Sequence, residues 1–94
     1  MIDEKTKYIV HYSSTFKKDY KKIKKQGKDI TKLKKIVKKL ANKEELEPKY
    51  KNHHLIKCKE FDDCYECHIE PDWLLVYKIF DNDLIFSFSK HGKS

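Results

Sequence analysis

The sequence predicts an α+β domain in which a helical hairpin packs on one face of an antiparallel sheet, in the order β-α-α-β-β-β. In the first half of the chain, apolar residues recur three and four apart within lysine-rich stretches, which is typical of amphipathic helices. From residue 63 the period changes to two, which is typical of strands. No internal repeat or linker interrupts the 94 residues, so we expect a single domain over 1–94 with a thin, two-layer core.

The first strand and first helix are predicted from the start of the chain. Lys7-Tyr8-Ile9-Val10-His11-Tyr12 is rich in β-forming residues, and Ser13-Ser14 then offers hydroxyl oxygens that accept hydrogen bonds from the first free amides of a helix. The apolar residues of this helix share one face: Phe16, Tyr20 and Ile23. Gly27 supplies its stop.

A second helix follows, with Asp29 or Thr31 as its cap. Its apolar stripe consists of Ile30, Leu33, Ile36, Val37 and Leu40. Between Glu44 and Lys59 the periodicity fades, and Pro48 favours an irregular connection over another element.

Three antiparallel strands complete the predicted fold. Alternation from Asp63 directs Tyr65, Cys67 and Ile69 to one face and Cys64, Glu66, His68 and Glu70 to the other. Pro71-Asp72 ends this strand, and the apolar run from Trp73 to Phe80 predicts a central strand. Asp81-Asn82-Asp83 is turn chemistry before the last strand, 84–88.

Charge is concentrated in the helical hairpin. The chain carries a net charge of +7, and positions 17 to 43 hold thirteen lysines against two aspartates. No arginine is present, so phosphate contacts would use flexible point charges rather than a bidentate guanidinium. This excess of one sign indicates an anionic partner, either nucleic acid or an acidic protein.

Other features bear on the cellular compartment. No apolar run approaches the roughly 18 residues of a membrane span, and Asp3-Glu4 replaces the basic start of a signal peptide, so a cytoplasmic protein is expected. Three cysteines without a secretion signal are interpreted as reduced thiols. A zinc site of Cys58, Cys64, Cys67 and His68 is conceivable but lacks the usual ligand spacing.

Five histidines point to acid–base chemistry, since imidazole both takes and gives a proton near neutral pH. RNA offers matching chemistry, because its 2′-hydroxyl attacks the adjacent phosphorus once a base removes the proton. Histidine and lysine suffice for this reaction, so no metal or other cofactor is expected. His68 is favoured because Glu66 and Glu70 share its strand face; the alternative is an exposed strand histidine.

Two stretches resemble YafQ-type toxins of the RelE superfamily. They are Tyr50-Lys51-Asn52-His53-His54-Leu55 and Cys67-His68-Ile69-Glu70-Pro71-Asp72-Trp73-Leu74-Leu75-Val76-Tyr77-Lys78. The resemblance covers nearly the whole chain and implies a RelE-like fold. It also implies a ribosome-dependent, metal-independent endoribonuclease that cuts mRNA and forms half of a type II toxin–antitoxin pair.

Specific residues follow from the resemblance. The catalytic set that it implies is His53, His68, Asp72 and His91. The histidines would share proton transfer and phosphate contact, with Asp72 orienting or charging an imidazole, while Lys51, Lys57, Lys59 and Lys90 bind RNA. Which histidine is the base and which the acid stays open.

The resemblance also implies a partner. A cognate acidic antitoxin is expected to cover the basic surface with a segment that orders on binding, and the complex to bind operator DNA.

The chain departs from the family pattern at its end. An arginine on the last strand and a terminal aromatic residue are both missing, and Lys90 replaces the charge but not the bidentate grip. Two alternative functions stay open. One is a ParE-like gyrase inhibitor without nuclease activity, against which His53, His68 and His91 argue; the other is a family member that binds only its antitoxin and nucleic acid, which the altered C-terminus supports.

Overall fold

The computed structural model describes residues 6–57 and 62–88 and confirms the predicted α+β class. In chain order the elements are β1 (Ile9–Tyr12), α1 (Ser14–Lys25), α2 (Ile30–Ala41), a 3₁₀ turn (Pro48–Tyr50), β2 (His53–Lys57), β3 (Asp62–Glu70), β4 (Trp73–Phe80) and β5 (Asp83–Phe88). The helical hairpin and the β3–β4–β5 meander are present as predicted.

The sheet is mixed rather than wholly antiparallel, which corrects the prediction for its first strand. Its strand order is β1-β5-β4-β3-β2, and β1 runs parallel to β5. Parallel strands need a long connection, and the chain between β1 and β5 contains the helical hairpin and strands β2 to β4. This length allows β1 to lie alongside β5. The other three strand pairs are antiparallel.

The sheet also has one strand more than predicted. The segment His53–Lys57, which we expected to be irregular, forms β2 at the sheet edge and pairs with β3. An edge strand is covered on few sides, and here even Ile56 is 85% exposed. Its apolar and polar residues consequently lack the alternation by which strands are predicted.

Local chemistry fixes both helix starts where the sequence indicates. The Ser13 hydroxyl accepts a hydrogen bond from the Phe16 amide at 2.9 Å, and the Asp29 carboxylate accepts one from the Thr31 amide at 3.0 Å. Asp29 rather than Thr31 is therefore the cap of α2. Gly27, with φ +80°, ends the first helix in the left-handed region that glycine tolerates.

The core lies between the hairpin and one face of the sheet. Of the two helices, α2 contributes more to it, because one residue of α1 is buried, Phe16, and five residues of α2 are. Those of α2 are Leu33, Ile36, Val37, Leu40 and Ala41. Phe16 stacks on Phe88 at 4.5 Å between ring centroids, which holds α1 against β5. The other face of the sheet carries Glu66 and His68 near its β2 edge, whereas Val76 and Ser87 at its centre are buried.

The cysteines differ from one another. Cys67 is a free, buried thiol on the core face, as predicted, and burial followed by the charge of Glu66 raises its pKa to about 12. Cys64 is disulfide-bonded, so the expectation of reduced thiols is wrong for this residue. An odd cysteine count excludes a fully paired set but not a single bridge.

None of the helices within residues 6–57 and 62–88 has the length and apolar character required to cross a bilayer.

Candidate functional site: a histidine pair beside a lysine-lined cleft

Two histidines lie side by side on the face of the sheet that is turned away from the helical hairpin. His53 of β2 is directly opposite Glu66 of β3, and His68 follows two residues later on the same face of β3. The His53 and His68 rings are 6.4 Å apart between centroids, tilted by 43°. This spacing leaves room for one reacting group to contact both rings.

The loop before β2 fixes the His53 ring. Lys51 has a φ of +50°, and its backbone carbonyl accepts a hydrogen bond from His53 Nδ1 at 2.7 Å. The next residue, Asn52, accepts a hydrogen bond from the Tyr77 hydroxyl at 2.8 Å. Burial raises the pKa of Tyr77, so this hydroxyl keeps its proton and stays a donor. The loop is thereby tied to the central strand.

Both nitrogens of His53 face hydrogen-bond acceptors. Nδ1 faces the Lys51 carbonyl oxygen, and Nε2 lies 3.2 Å from the Glu66 carboxylate. A carbonyl oxygen only accepts, so Nδ1 is the donor of its hydrogen bond, which fixes the orientation of the ring. The Glu66 carboxylate lies beside the second nitrogen, so both sides of the ring are positioned by neighbouring residues.

His68 is held differently. Among the described residues nothing forms a hydrogen bond with its ring, which is partly exposed. It borders a cleft of about 330 Å³, here called the Lys cleft. The residues that matter below are Lys32, Lys49, Tyr50, Lys51, His68 and Glu70. The ring of His68 therefore borders the cleft and is accessible to a ligand bound there.

The two carboxylates near the end of β3 contact lysines of the hairpin. Glu70 lies 3.2 Å from Lys32 Nζ and 3.8 Å from Lys28 Nζ. Asp72 is 83% exposed, and within the described part of the chain its charged neighbour is Lys28, at 4.0 Å. The sequence pattern predicted that Glu70 would be a neighbour of His68. In the structure the Glu70 carboxylate contacts lysines instead and does not pair with His68. A register shift between His68 and Glu70 explains this by turning the Glu70 side chain elsewhere.

The predicted site residues divide into three groups. His53 and His68 are brought together, and Lys51 lines the cleft beside them. Asp72 is paired with neither of these two imidazoles. The remaining residues, His91, Lys59 and Lys90, lie outside the described part of the chain, as does the side chain of Lys57 at the end of β2.

The other two described histidines take part in separate ion pairs. His11 Nε2 lies 2.8 Å from Asp83, and His54 pairs with Asp63. His54 belongs to the opposite face of β2 from His53, where it packs against Tyr65. Neither residue approaches the histidine pair through a described contact.

Sequence reasoning missed several members of the site. Asn52 and the pairing of Glu66 with His53 were missed because β2 was not predicted. Lys32 and Lys49 were missed because the packing of α2 and of the 3₁₀ turn decides which lysines reach the cleft. A strand assignment for 53–57 would have placed Glu66 beside a histidine. Within residues 6–57 and 62–88 no group of three or more metal-ligating side chains occurs.

Comparison with known proteins identifies relatives of the same shape. The mRNA interferase toxin YafQ of Escherichia coli strain B / BL21-DE3 is 38% identical over 78 residues, which cover 82% of this chain and 83% of that protein. A metal-bound toxin from Helicobacter pylori has a TM-score of 0.78 and 39% identity, with 89% and 94% of the two chains covered. In the crystal structure of the E. coli DinJ-YafQ complex, the matched chain has a TM-score of 0.75 and 37% identity, covering 85% and 88%.

A family model agrees with these likenesses. It is described as a bacterial toxin of type II toxin-antitoxin system, YafQ, and it matches residues 8–93. The fold, the relatives and this match lead to one assignment: the chain belongs to the YafQ family of type II toxin–antitoxin toxins.

Proposed function

We propose that this toxin is an mRNA interferase, a metal-independent endoribonuclease that cleaves mRNA on the ribosome. The observation that carries the proposal is the pair of partly exposed rings of His53 and His68 beside the Lys cleft. The E. coli relatives named mRNA interferase toxin YafQ support the same substrate.

The two environments suggest how the histidines divide the chemistry. His68 accepts the 2′-hydroxyl proton as the 2′-oxygen attacks phosphorus, and the bond from phosphorus to the 5′-oxygen breaks. His53, held by two acceptors, donates its proton to the departing 5′-oxygen. The products are a 2′,3′-cyclic phosphate and a 5′-hydroxyl, so no water or metal enters the transfer step.

Glu66 acts on this reaction through His53. Its carboxylate lies 3.2 Å from Nε2 of His53 and orients the ring for proton donation. The roles of Asp72 and His91 stay as the family resemblance implies, with His91 sharing proton transfer and phosphate contact. Asp72 is exposed, and its carboxylate lies 4.0 Å from Lys28 Nζ.

Lysines supply the positive charge in place of arginine. Lys51 lies at the cleft, and Lys57, Lys59 and Lys90 are proposed as further RNA contacts. Charge on the phosphate grows in the transition state, and nearby ammonium groups offset it. Contacts of this kind weaken steeply with salt, because each releases bound counterions.

The partner is proposed to be a cognate antitoxin with an acidic segment. The lysines of α1 and α2 form a strongly positive surface, interrupted in α1 by Asp19, which such a segment would neutralise. A relative is seen in a DinJ-YafQ complex, which supports a protein partner of this type.

The test is induced expression of the wild-type chain and of a His53→Ala variant, followed by mapping of new mRNA ends. We expect growth arrest with new 5′-hydroxyl ends for the wild type and neither for the variant. A translation extract with and without ribosomes then checks ribosome dependence. Arrest with intact mRNA would favour gyrase inhibition, and absence of arrest would favour a protein that only binds its antitoxin.

A further inference from the structure

The Lys cleft has the charge of an anion-binding site. Lys32, Lys49 and Lys51 line it, against the single carboxylate of Glu70. Glu70 is already shared between Lys32 and Lys28. Among the described residues Lys51 Nζ has no carboxylate within 4.0 Å, and the partner of Lys49, Glu47, lies on an exposed surface where pairing is weak. The cleft therefore keeps a positive excess.

The cleft also has an aromatic wall. Tyr50 is partly buried and packs against the core, which fixes its ring. Lys49 Nζ lies over that ring at 5.2 Å from the centroid, so a cation and a π surface are presented together. Phosphate and a flat base are the two groups that such a combination recognises in single-stranded nucleic acid.

One turn of backbone connects this wall to the histidine pair. Tyr50 ends the 3₁₀ turn, and Lys51 follows in the left-handed conformation, which costs free energy for a residue with a side chain. The Lys51 carbonyl is the acceptor for His53 Nδ1, while its side chain lines the cleft. His68 borders the same cleft. A ligand in the cleft would thus adjoin His68, and the Lys51 backbone connects the cleft to His53.

We propose that the Lys cleft is a subsite for one nucleotide of single-stranded RNA, next to the phosphate that is cleaved. Lys49, whose side chain is 68% exposed, leaves the Tyr50 ring to contact the phosphate together with Lys51, and the base stacks on the ring face that it uncovers. A volume of about 330 Å³ is at the lower end of small-molecule sites, which limits the cleft to a single nucleotide. This inference rests on the proposed function, since it assigns part of the substrate to that site.

The test measures binding separately from cleavage. The full chain, freed of antitoxin, is titrated with a fluorescent single-stranded RNA whose riboses carry 2′-O-methyl groups, so that no attack is possible. We expect Tyr50→Leu to weaken binding about tenfold through lost stacking, and Lys49→Ala several-fold with a shallower salt dependence.

The matched controls are Tyr20→Leu and Lys24→Ala. In α1, Lys24 Nζ lies 5.7 Å from the Tyr20 ring centroid, which repeats the lysine-over-tyrosine arrangement away from the Lys cleft. These controls should bind RNA like the wild type. Thermal melting by circular dichroism shows that each variant is folded.

Two outcomes overturn the subsite. One is equal RNA affinity of the Tyr50 and Tyr20 variants, and the other is a Tyr50→Leu defect in antitoxin binding alone. Cleavage in a translation extract is scored on the same proteins. Wild-type cleavage with Tyr50-independent binding rejects only the subsite, whereas Tyr50-dependent binding without wild-type cleavage supports the subsite and rejects the nuclease.

Discussion

His53 and His68 lie on adjacent strands of one sheet face, yet their surroundings differ. His53 is held at both nitrogens, by a backbone carbonyl and by Glu66. His68 makes no hydrogen bond to any residue within 6–57 and 62–88, and it faces a cationic cleft. Two residues of the same type thus acquire complementary properties from one strand pairing.

The difference teaches that strand register, more than sequence proximity, selects a side chain's partner. Residues directly opposite on neighbouring strands are about 5 Å apart at Cβ, closer than residues two positions apart on one strand, which are separated by about 7 Å. Glu66 and His68 are of the second kind, and His53 and Glu66 of the first. The Glu66 carboxylate accordingly contacts His53 of the neighbouring strand rather than His68 of its own strand.

The largest expected effect is loss of cleavage in His68→Ala. Removing the general base should lower the cleavage rate by about 10²- to 10⁴-fold, while the melting temperature is retained because the ring forms no hydrogen bond with a described residue. Rates are measured on a defined mRNA in a translation extract. His54→Ala, a histidine of β2 on the opposite face, is the matched control and should cleave normally. Equal losses in the two variants would contradict the assignment.

A smaller loss is expected for Glu66→Gln. The amide keeps the size of the side chain but removes the carboxylate that lies beside His53 Nε2, so the ring is less well oriented and kcat should fall about tenfold with little change in KM. Both constants are measured on the same defined mRNA. Asp83→Asn removes the carboxylate from another histidine pair, with His11, and should leave both constants unchanged. An unchanged kcat for Glu66→Gln would show that the carboxylate does not act through His53.

The Tyr77–Asn52 hydrogen bond should have a modest effect on stability and activity. Tyr77→Phe and Asn52→Ala are each expected to lower the free energy of unfolding by about 1 kcal/mol, and the double variant by less than the sum. Urea denaturation measures these values. Cleavage should fall a few-fold in both, because the loop that holds His53 loses its tie to β4. Strict additivity would indicate that the two residues act independently.

The smallest expected effect is an absence of reaction at Cys67. This residue lies between Glu66 and His68 but faces the core, where burial raises the pKa of its thiol to about 12. Iodoacetamide at pH 8 should leave Cys67 unmodified in the folded protein and alkylate it after unfolding, as peptide mass spectrometry would show. Rapid labelling in the folded state would mean that β3 does not alternate as described.

Most of the fold follows from local patterns in the sequence. The spacing of Phe16, Tyr20 and Ile23 and the capping residues Ser13 and Asp29 predict both helices, because these signals act within one or two turns. The parallel pairing of β1 with β5 was not predicted, since it depends on packing across the whole chain.

The candidate site was predicted in its members more than in its contacts. His53 and His68 were found from the family resemblance, and His68 also from strand alternation. Their relation to Glu66 required β2, whose exposed residues give no periodic signal. The lysines at the cleft depend on how the hairpin lies over the sheet, which charge composition does not encode.

The parallel pairing of β1 with β5 has a consequence for the time at which the protein folds. Of all the strand pairs, this one joins the most distant parts of the sequence, and α1 also packs on β5 through Phe16 and Phe88. Contacts of such long range form late and slowly. During translation, β1 therefore has no neighbouring strand until β5 has emerged. A nascent toxin stays incompletely folded until β5 has been synthesised.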